Sequence, residues 1–290
     1  MFIKKNSPTS SHFQLRSLEK SDYPKLTNFL RGEIRIHRHL DWREPQDWLG
    51  EHPFIAAEKD GEIQAILALP DDPPGIYWIR LFALRRSMDV REMWDILLAK
   101  SLPEIRGKNH QPLATLAYSD WFQQLLLSSQ WTEHQKVVLM KYIGKSKETP
   151  EMNDEYLLRP MFSGDVARVA VVDQSAFEPL WQQSEDAIRQ AYSQISYATV
   201  MEHGGKIIGF QMTTTNAYNA HLARLAVLPG EQGRGVGTAL VMDMLSHFKP
   251  PFIREITVNT QQDNPNSIKL YQKLGFVLTG ESFPIFIYPL

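Results

Sequence analysis

Leu225, Ala226, Val227, Leu228, Pro229, Gly230, Glu231, Gln232, Gly233, Arg234, Gly235, Val236, Gly237, Thr238, Ala239, Leu240, Val241, Met242, Asp243, Met244 and Leu245 run from an apolar strand, through a glycine-rich turn, into a helix. The first backbone N–H groups of a helix have no internal partner, and the dipole there is positive, so a phosphate or pyrophosphate is well held. Glycine lets the backbone come close to such an anion. The spacing is Gln-x-x-Gly-x-Gly, which is not the dinucleotide fingerprint, and no Lys-Ser/Thr pair follows as in a nucleotide-triphosphatase loop. Nicotinamide cofactors and nucleoside triphosphates are thereby excluded.

Downstream, Val258, Asn259 and Thr260 belong to another strand. Asn264, Pro265, Asn266, Ser267, Ile268, Lys269, Leu270, Tyr271, Gln272, Lys273, Leu274, Gly275 and Phe276 then read as a helix capped by Asn264 and ended in the left-handed conformation by Gly275. With the glycine turn, this segment resembles the GNAT superfamily of N-acetyltransferases, whose motifs are (Gln/Arg)-x-x-Gly-x-(Gly/Ala) and N-x-x-(A/S)-x-x-L-Y-x-x-x-G-F. The resemblance covers Glu155 to Leu290 and implies acetyl-coenzyme A as co-substrate, without a metal. It implies that Gln232, Gly233, Arg234, Gly235, Val236, Gly237 and Thr238 hold the pyrophosphate. The strand Leu225, Ala226, Val227 would hold the pantetheine arm and polarise the carbonyl, as an oxyanion hole does. Asn264, Ser267 and Tyr271 would complete the coenzyme site, and Tyr271 would also be the general acid. A free phenol ionises near ~10 and a free thiol near ~8.5.

The base is left open. Related ribosomal-protein N-terminal acetyltransferases carry a glutamate where this chain has Asn259, and an amide cannot accept a proton as a carboxylate does. Glu178, in the Phe177 to Trp181 stretch where the family's acceptor loop would lie, His221, and a chain of waters are the alternatives. Phe177 and Trp181 line an acceptor pocket or fill the core.

The chain also repeats itself. Leu15-Arg16 with Asp22 returns as Leu158-Arg159 with Asp165, 143 residues on; Gly61 returns as Gly205 and the strand Arg80 to Leu84 as Arg224 to Leu228, both 144 residues on. Each half reads as strand, helix, antiparallel strands, helix, strand, helix, strand. The expectation is an α/β fold of two tandem GNAT-like domains, each a mixed, mostly antiparallel twisted sheet flanked by helices. Residues 1–144 form a degenerate domain, 145–155 a polar linker with Pro150, and 156–290 the catalytic domain. In the first copy Met88, Arg91 and Met93 stand opposite Gln232, Gly235 and Gly237, and an apolar residue such as Leu127 opposite Tyr271. That copy is expected not to bind coenzyme, a layout resembling mycothiol synthase and other tandem GNAT proteins. His37, Arg38 and His39, with Trp42 and Trp48, read as a solvated helix face and not a metal site.

Composition bounds the rest. With 43% hydrophobic and 22% charged residues the chain is ordinary globular protein, and a net charge of −2 lacks the basic footprint of a nucleic-acid binder. There is no cysteine, hence no disulfide or thiolate chemistry. Residues 1–8 carry basic residues without a following apolar stretch and so do not read as a signal peptide, and no apolar run reaches the roughly 18 residues of a membrane span, so a cytoplasmic location is expected. The expected activity is transfer of acetyl to the primary amine of a small molecule or peptide; the rival is a non-catalytic acyl-coenzyme A sensor or scaffold. Oligomeric state is not encoded in any feature of the sequence.

Overall fold

Short runs of β-branched and aromatic residues separated by Asp-Gly and Gly-Gly make hairpins, and helical segments between them cover the sheets. The computed structural model describes residues 13–105, 113–144, 153–248 and 252–289. In the N-terminal half these are β1 (Gln14–Ser17), α1 (Tyr23–Leu30), β2 (Ile34–Arg38), β3 (Phe54–Lys59), β4 (Glu62–Ala68), β5 (Tyr77–Trp78), β6 (Leu81–Arg85), α2 (Val90–Ile105), β7 (Leu113–Leu116), α3 (Asp120–Leu127) and β8 (Thr132–Tyr142). The C-terminal half has β9 (Tyr156–Pro160), α4 (Val166–Ala176), α5 (Glu185–Gln194), β10 (Tyr197–His203), β11 (Lys206–Asn216), β12 (Asn219–Val227), α6 (Val236–His247), β13 (Glu255–Gln261), α7 (Pro265–Lys273) and β14 (Phe276–Tyr288). Most of the expected linker, residues 145–152, lies outside the described residues.

The repeat is real at atomic detail. Arg16 binds Asp22 at 2.7 Å and Glu58 at 2.8 Å; Arg159 binds Asp165 at 2.7 Å and Glu202 at 2.5 Å. A bulge follows Ala57 in β3 and the equivalent Met201 in β10. One register needs correction. Leu67 pairs with Phe82 and Gln211 with Leu225, so Phe82, Ala83 and Leu84 match Leu225, Ala226 and Val227 at a spacing of 143 and not 144.

Among the described residues the strands form two mostly antiparallel sheets. One has the order β1-β3-β4-β6-β2, and the other β5-β7-β14-β8-β13-β12-β11-β10-β9. The second sheet crosses the repeat. β8, from the N-terminal half, lies between β13 and β14; β14, from the C-terminal half, lies between β7 and β8. Each half thus supplies a strand that completes the other.

The halves differ at one edge. In the C-terminal half β12 pairs with β13 only from Asn219 to Leu222, then the two strands part. In the N-terminal half the matching edge of β6 is taken by β2, with Ile34 opposite Arg85 and Arg38 opposite Leu81. The reading of His37 to His39 as a solvated helix face is therefore wrong. Ile34 and Ile36 alternate with polar residues in strand fashion, His37 is fully buried and stacks on Phe122 at 3.9 Å, and its Nε2 meets Thr115 Oγ1 at 3.2 Å.

Candidate active site

Where β12 leaves β13 a cleft of about 810 Å3 opens, within the usual size of a ligand site. Leu225, Ala226 and Val227 line it, paired to β11 along one edge and free along the other. Gln232, Gly233, Gly235, Gly237 and Thr238 form its upper wall. Gly233 (φ +76°) and Gly235 (φ +87°) need the left-handed region, which a side chain enters only with strain. A Cβ on Gly237 would come within 3.3 Å of Leu270 Cδ2. Gln232 ties the turn back to the strand through Nε2 to the Val227 carbonyl, 3.0 Å. Gly235 is the N-cap of α6 and offers no side chain, so the first amides of that helix face the cleft uncapped. Opposite stand Asn264, Ser267, Lys269 and Lys273 of the α7 segment. Asn264 Oδ1 accepts from the Ser267 amide at 3.0 Å, and Gly275 follows at φ +95°.

The lower wall is the stretch between α4 and α5. Phe177, Glu178 and Trp181 line the cleft, with Glu178 exposed. This stretch is held by a buried pair that sequence reading missed. Arg224 donates from Nε to Asp173 Oδ2 (2.6 Å), and from Nη2 to Asp173 Oδ1 (2.8 Å) and the Trp181 carbonyl (2.6 Å). The guanidinium lies 3.7 Å from the Phe177 ring centroid, and Asp173 also accepts from the Gln183 amide at 2.8 Å. The visible signal was a charge inside each of two apolar runs, Val171-Val172-Asp173 and Leu222-Ala223-Arg224-Leu225. The N-terminal half reaches the same wall: Trp78 Nε1 donates to the Leu180 carbonyl at 3.1 Å and its ring lies 5.6 Å from that of Trp181.

Residues 166–276 match the model of the acetyltransferase (GNAT) family. Over the whole chain, the tandem GNAT protein from the clavulanic acid biosynthesis pathway superposes with a TM-score of 0.60 at 15% identity, covering 95% of this chain and 98% of that one. The chain has the fold of a tandem GNAT protein, and its residues 166–276 carry the family's match. Among curated relatives, the spore coat polysaccharide biosynthesis protein SpsD of Bacillus subtilis is 27% identical over 90 residues, 31% of each chain. The mycothiol acetyltransferase of Streptosporangium roseum is 31% identical over 78 residues, 24% of this chain and 23% of the relative. The chain therefore spans under a third of the length of these two relatives.

Within this GNAT fold the catalytic candidates do not all meet. Tyr271 is buried among Met140, Leu222, Val258 and Phe276 and is not on the cleft lining; burial raises its phenol pKa well above the ordinary value. Asn259 is the first residue of β13 beyond its pairing with β12, and its Oδ1 is buried without a partner. His221, one pairing step before the parting, binds Thr257 Oγ1 through Nδ1 at 2.8 Å, and burial lowers its pKa.

The N-terminal GNAT-like copy has its cleft filled. Besides β2 along the free edge, Phe82, Trp94, Trp121 and Phe122 form an aromatic cluster with ring centroids 5.0–6.3 Å apart. Its helix N-terminus is already satisfied, since Asp89 Oδ1 accepts from the Glu92 amide at 2.8 Å. Met93 is buried in the core and Arg91 is paired with Asp95 at 2.7 Å. An anion approaching α2 meets a carboxylate where α6 offers bare amides.

Proposed function

We propose that this chain transfers acetyl from acetyl-coenzyme A to the primary amine of a small molecule or peptide by direct attack, in the cytoplasm. The observation that carries the proposal is the free edge of β12 beside a glycine N-cap. A pyrophosphate fits the uncapped amides of α6, and an extended amide-bearing arm fits the unpaired backbone of Leu225 to Val227. Residues 156–290 hold the coenzyme, and 1–144 complete the acceptor wall. The coenzyme supplies an activated acetyl carbonyl. The amine nitrogen forms a C–N bond as the C–S bond breaks; one proton leaves the nitrogen and one reaches the sulfur. Backbone N–H groups of β12 stabilise the oxygen on which charge develops. Tyr271, the acid that the family resemblance implies, stays protonated at neutral pH; because it lies behind the cleft lining, delivering its O–H to the departing sulfur requires that lining to part. His221 is kept neutral by burial and can take the proton from nitrogen, as can Glu178 or a water.

Titration of acetyl-coenzyme A into the full chain by calorimetry tests the reading. One site per chain is expected, because the first copy is filled by its own strand. Gly235→Arg places a side chain at φ +87° and across the amides and should abolish binding; no binding by the parent protein would sink the proposal. A non-catalytic sensor would bind equally well, and differs in what Tyr271→Phe does.

A further inference from the structure

The acceptor side of the cleft carries a hydrogen-bond acceptor that no described residue satisfies. Gln135, on β8 of the N-terminal half, lines the cleft with Gln261 and Asp263. Its Nε2 donates to Asp263 Oδ2 at 3.4 Å, which fixes the amide: nitrogen toward the carboxylate, Oε1 turned away. That Oε1 is buried and unpartnered among the described residues; Asn259 Oδ1 and Gln183 Oε1, likewise unpartnered, lie behind the lining. Asn259 pairs with Leu139 and Gln261 with Val137, and paired residues share a face. Gln135, Val137, Leu139, Asn259 and Gln261 therefore stand on one side of the sheet. Val137 packs with Trp78 and Trp181, so that side is the one covered by the Phe177 to Trp181 wall. Gln183 follows this wall, its amide held by Asp173.

Charge is distributed to match. Among the described lining residues the cations that face the cleft opposite the glycine turn, Lys269 and Lys273, are on α7, where coenzyme phosphates would lie. Glu178 and Asp263 are the charged groups on the acceptor side. Buried carbonyl oxygens and carboxylates reward O–H, N–H and ammonium donors and repel anions. The indole of Trp181 gives an apolar face beside them.

We propose that the acceptor is a primary amine on a hydroxyl-rich, non-anionic skeleton of the amino-sugar kind, and that Gln135, supplied by the N-terminal half, determines specificity for it by accepting a donor from the substrate. This assignment rests on the acetyl transfer proposed above.

The experiment uses the full chain with three probe amines, D-glucosamine, phenethylamine and L-glutamate, following release of coenzyme thiol. The expected result is a kcat/KM for glucosamine at least about tenfold above either of the others. Gln135→Leu should then lower the glucosamine value about 10- to 100-fold, mainly through KM, and leave phenethylamine unchanged. Gln135→Asn, which keeps the amide on a shorter arm, should fall between. Unchanged acetyl-coenzyme A binding by calorimetry shows that each variant is folded. Equal use of the three amines, an unaltered glucosamine preference in Gln135→Leu, or no turnover of any probe by protein that binds acetyl-coenzyme A would overturn the assignment. Failure of the parent protein to bind acetyl-coenzyme A would overturn the transferase reading itself.

Discussion

Replacing Asp173 by alanine should separate the two walls of the cleft functionally. Asp173 is fully buried and the Arg224 side chain is 11% exposed. The substitution removes both acceptors of a bidentate pair (2.6 and 2.8 Å) and the acceptor of the Gln183 amide (2.8 Å), leaving the guanidinium with the Trp181 carbonyl. An uncompensated buried charge of this kind costs about 3–5 kcal/mol. Urea denaturation should show that loss. Replacing both partners, Asp173→Leu with Arg224→Met, removes the stranded charge together with its partner, so the double variant should be more stable than Asp173→Ala alone. Because the pair tethers Phe177, Trp181 and Gln183 but not the turn from Gln232 to Thr238, the acceptor KM should rise while acetyl-coenzyme A affinity holds. A stability loss below about 1 kcal/mol, or coenzyme affinity falling in step with acceptor affinity, would refute the tether.

Tyr271→Phe should lower kcat about 10²- to 10⁴-fold with coenzyme affinity unchanged; full activity in that variant removes the tyrosine from catalysis, and a sensor would show no change in signalling. His37 has its pKa depressed by burial from 6.5 to about 3, so protonation favours the unfolded chain. Stability present above pH 6.5 should fall as pH drops toward 3, by up to about 1.4 kcal/mol per unit, with His39 acting in the same sense. His37→Gln should flatten denaturation midpoints across that window, and an unaltered slope would exclude this histidine as their cause. Asp165 is held near 2 by its hydrogen bonds from Arg159, so its contribution, present above the ordinary carboxylate pKa near 3.8, should disappear between pH 4 and 2. Asp165→Asn should remove that acid limb in the same titration.

What sequence made legible was local. The strand, glycine turn and helix around Gly235 and the Asn264 cap each depend on residues within a few positions of one another, and so does the Arg16 to Asp22 spacing. Pairings across the repeat were not legible, because an apolar strand such as Val137 to Met140 is marked for burial without its neighbour being named. For the same reason β2 was misread: His37, Arg38 and His39 look hydrophilic in isolation, and the empty edge of β6 that buries His37 is formed by residues 45 positions later. Gln135 sits in a polar run, Thr132 to Lys136, that carries no mark of a ligand site. Its place on the cleft is set by β8 entering the sheet of the other half.

That crossing has a consequence for how the molecule can be taken apart. Scission anywhere in residues 145–152 would leave one fragment ending in β8 and another ending in β14, each exposing backbone that the other was built to cover. The gene should therefore tolerate being split there, the two products finding each other in the cell, whereas either product alone should aggregate. Heat should melt the nine-stranded sheet in one step, since strands of both halves alternate at its centre, while the five-stranded sheet belongs wholly to the N-terminal half.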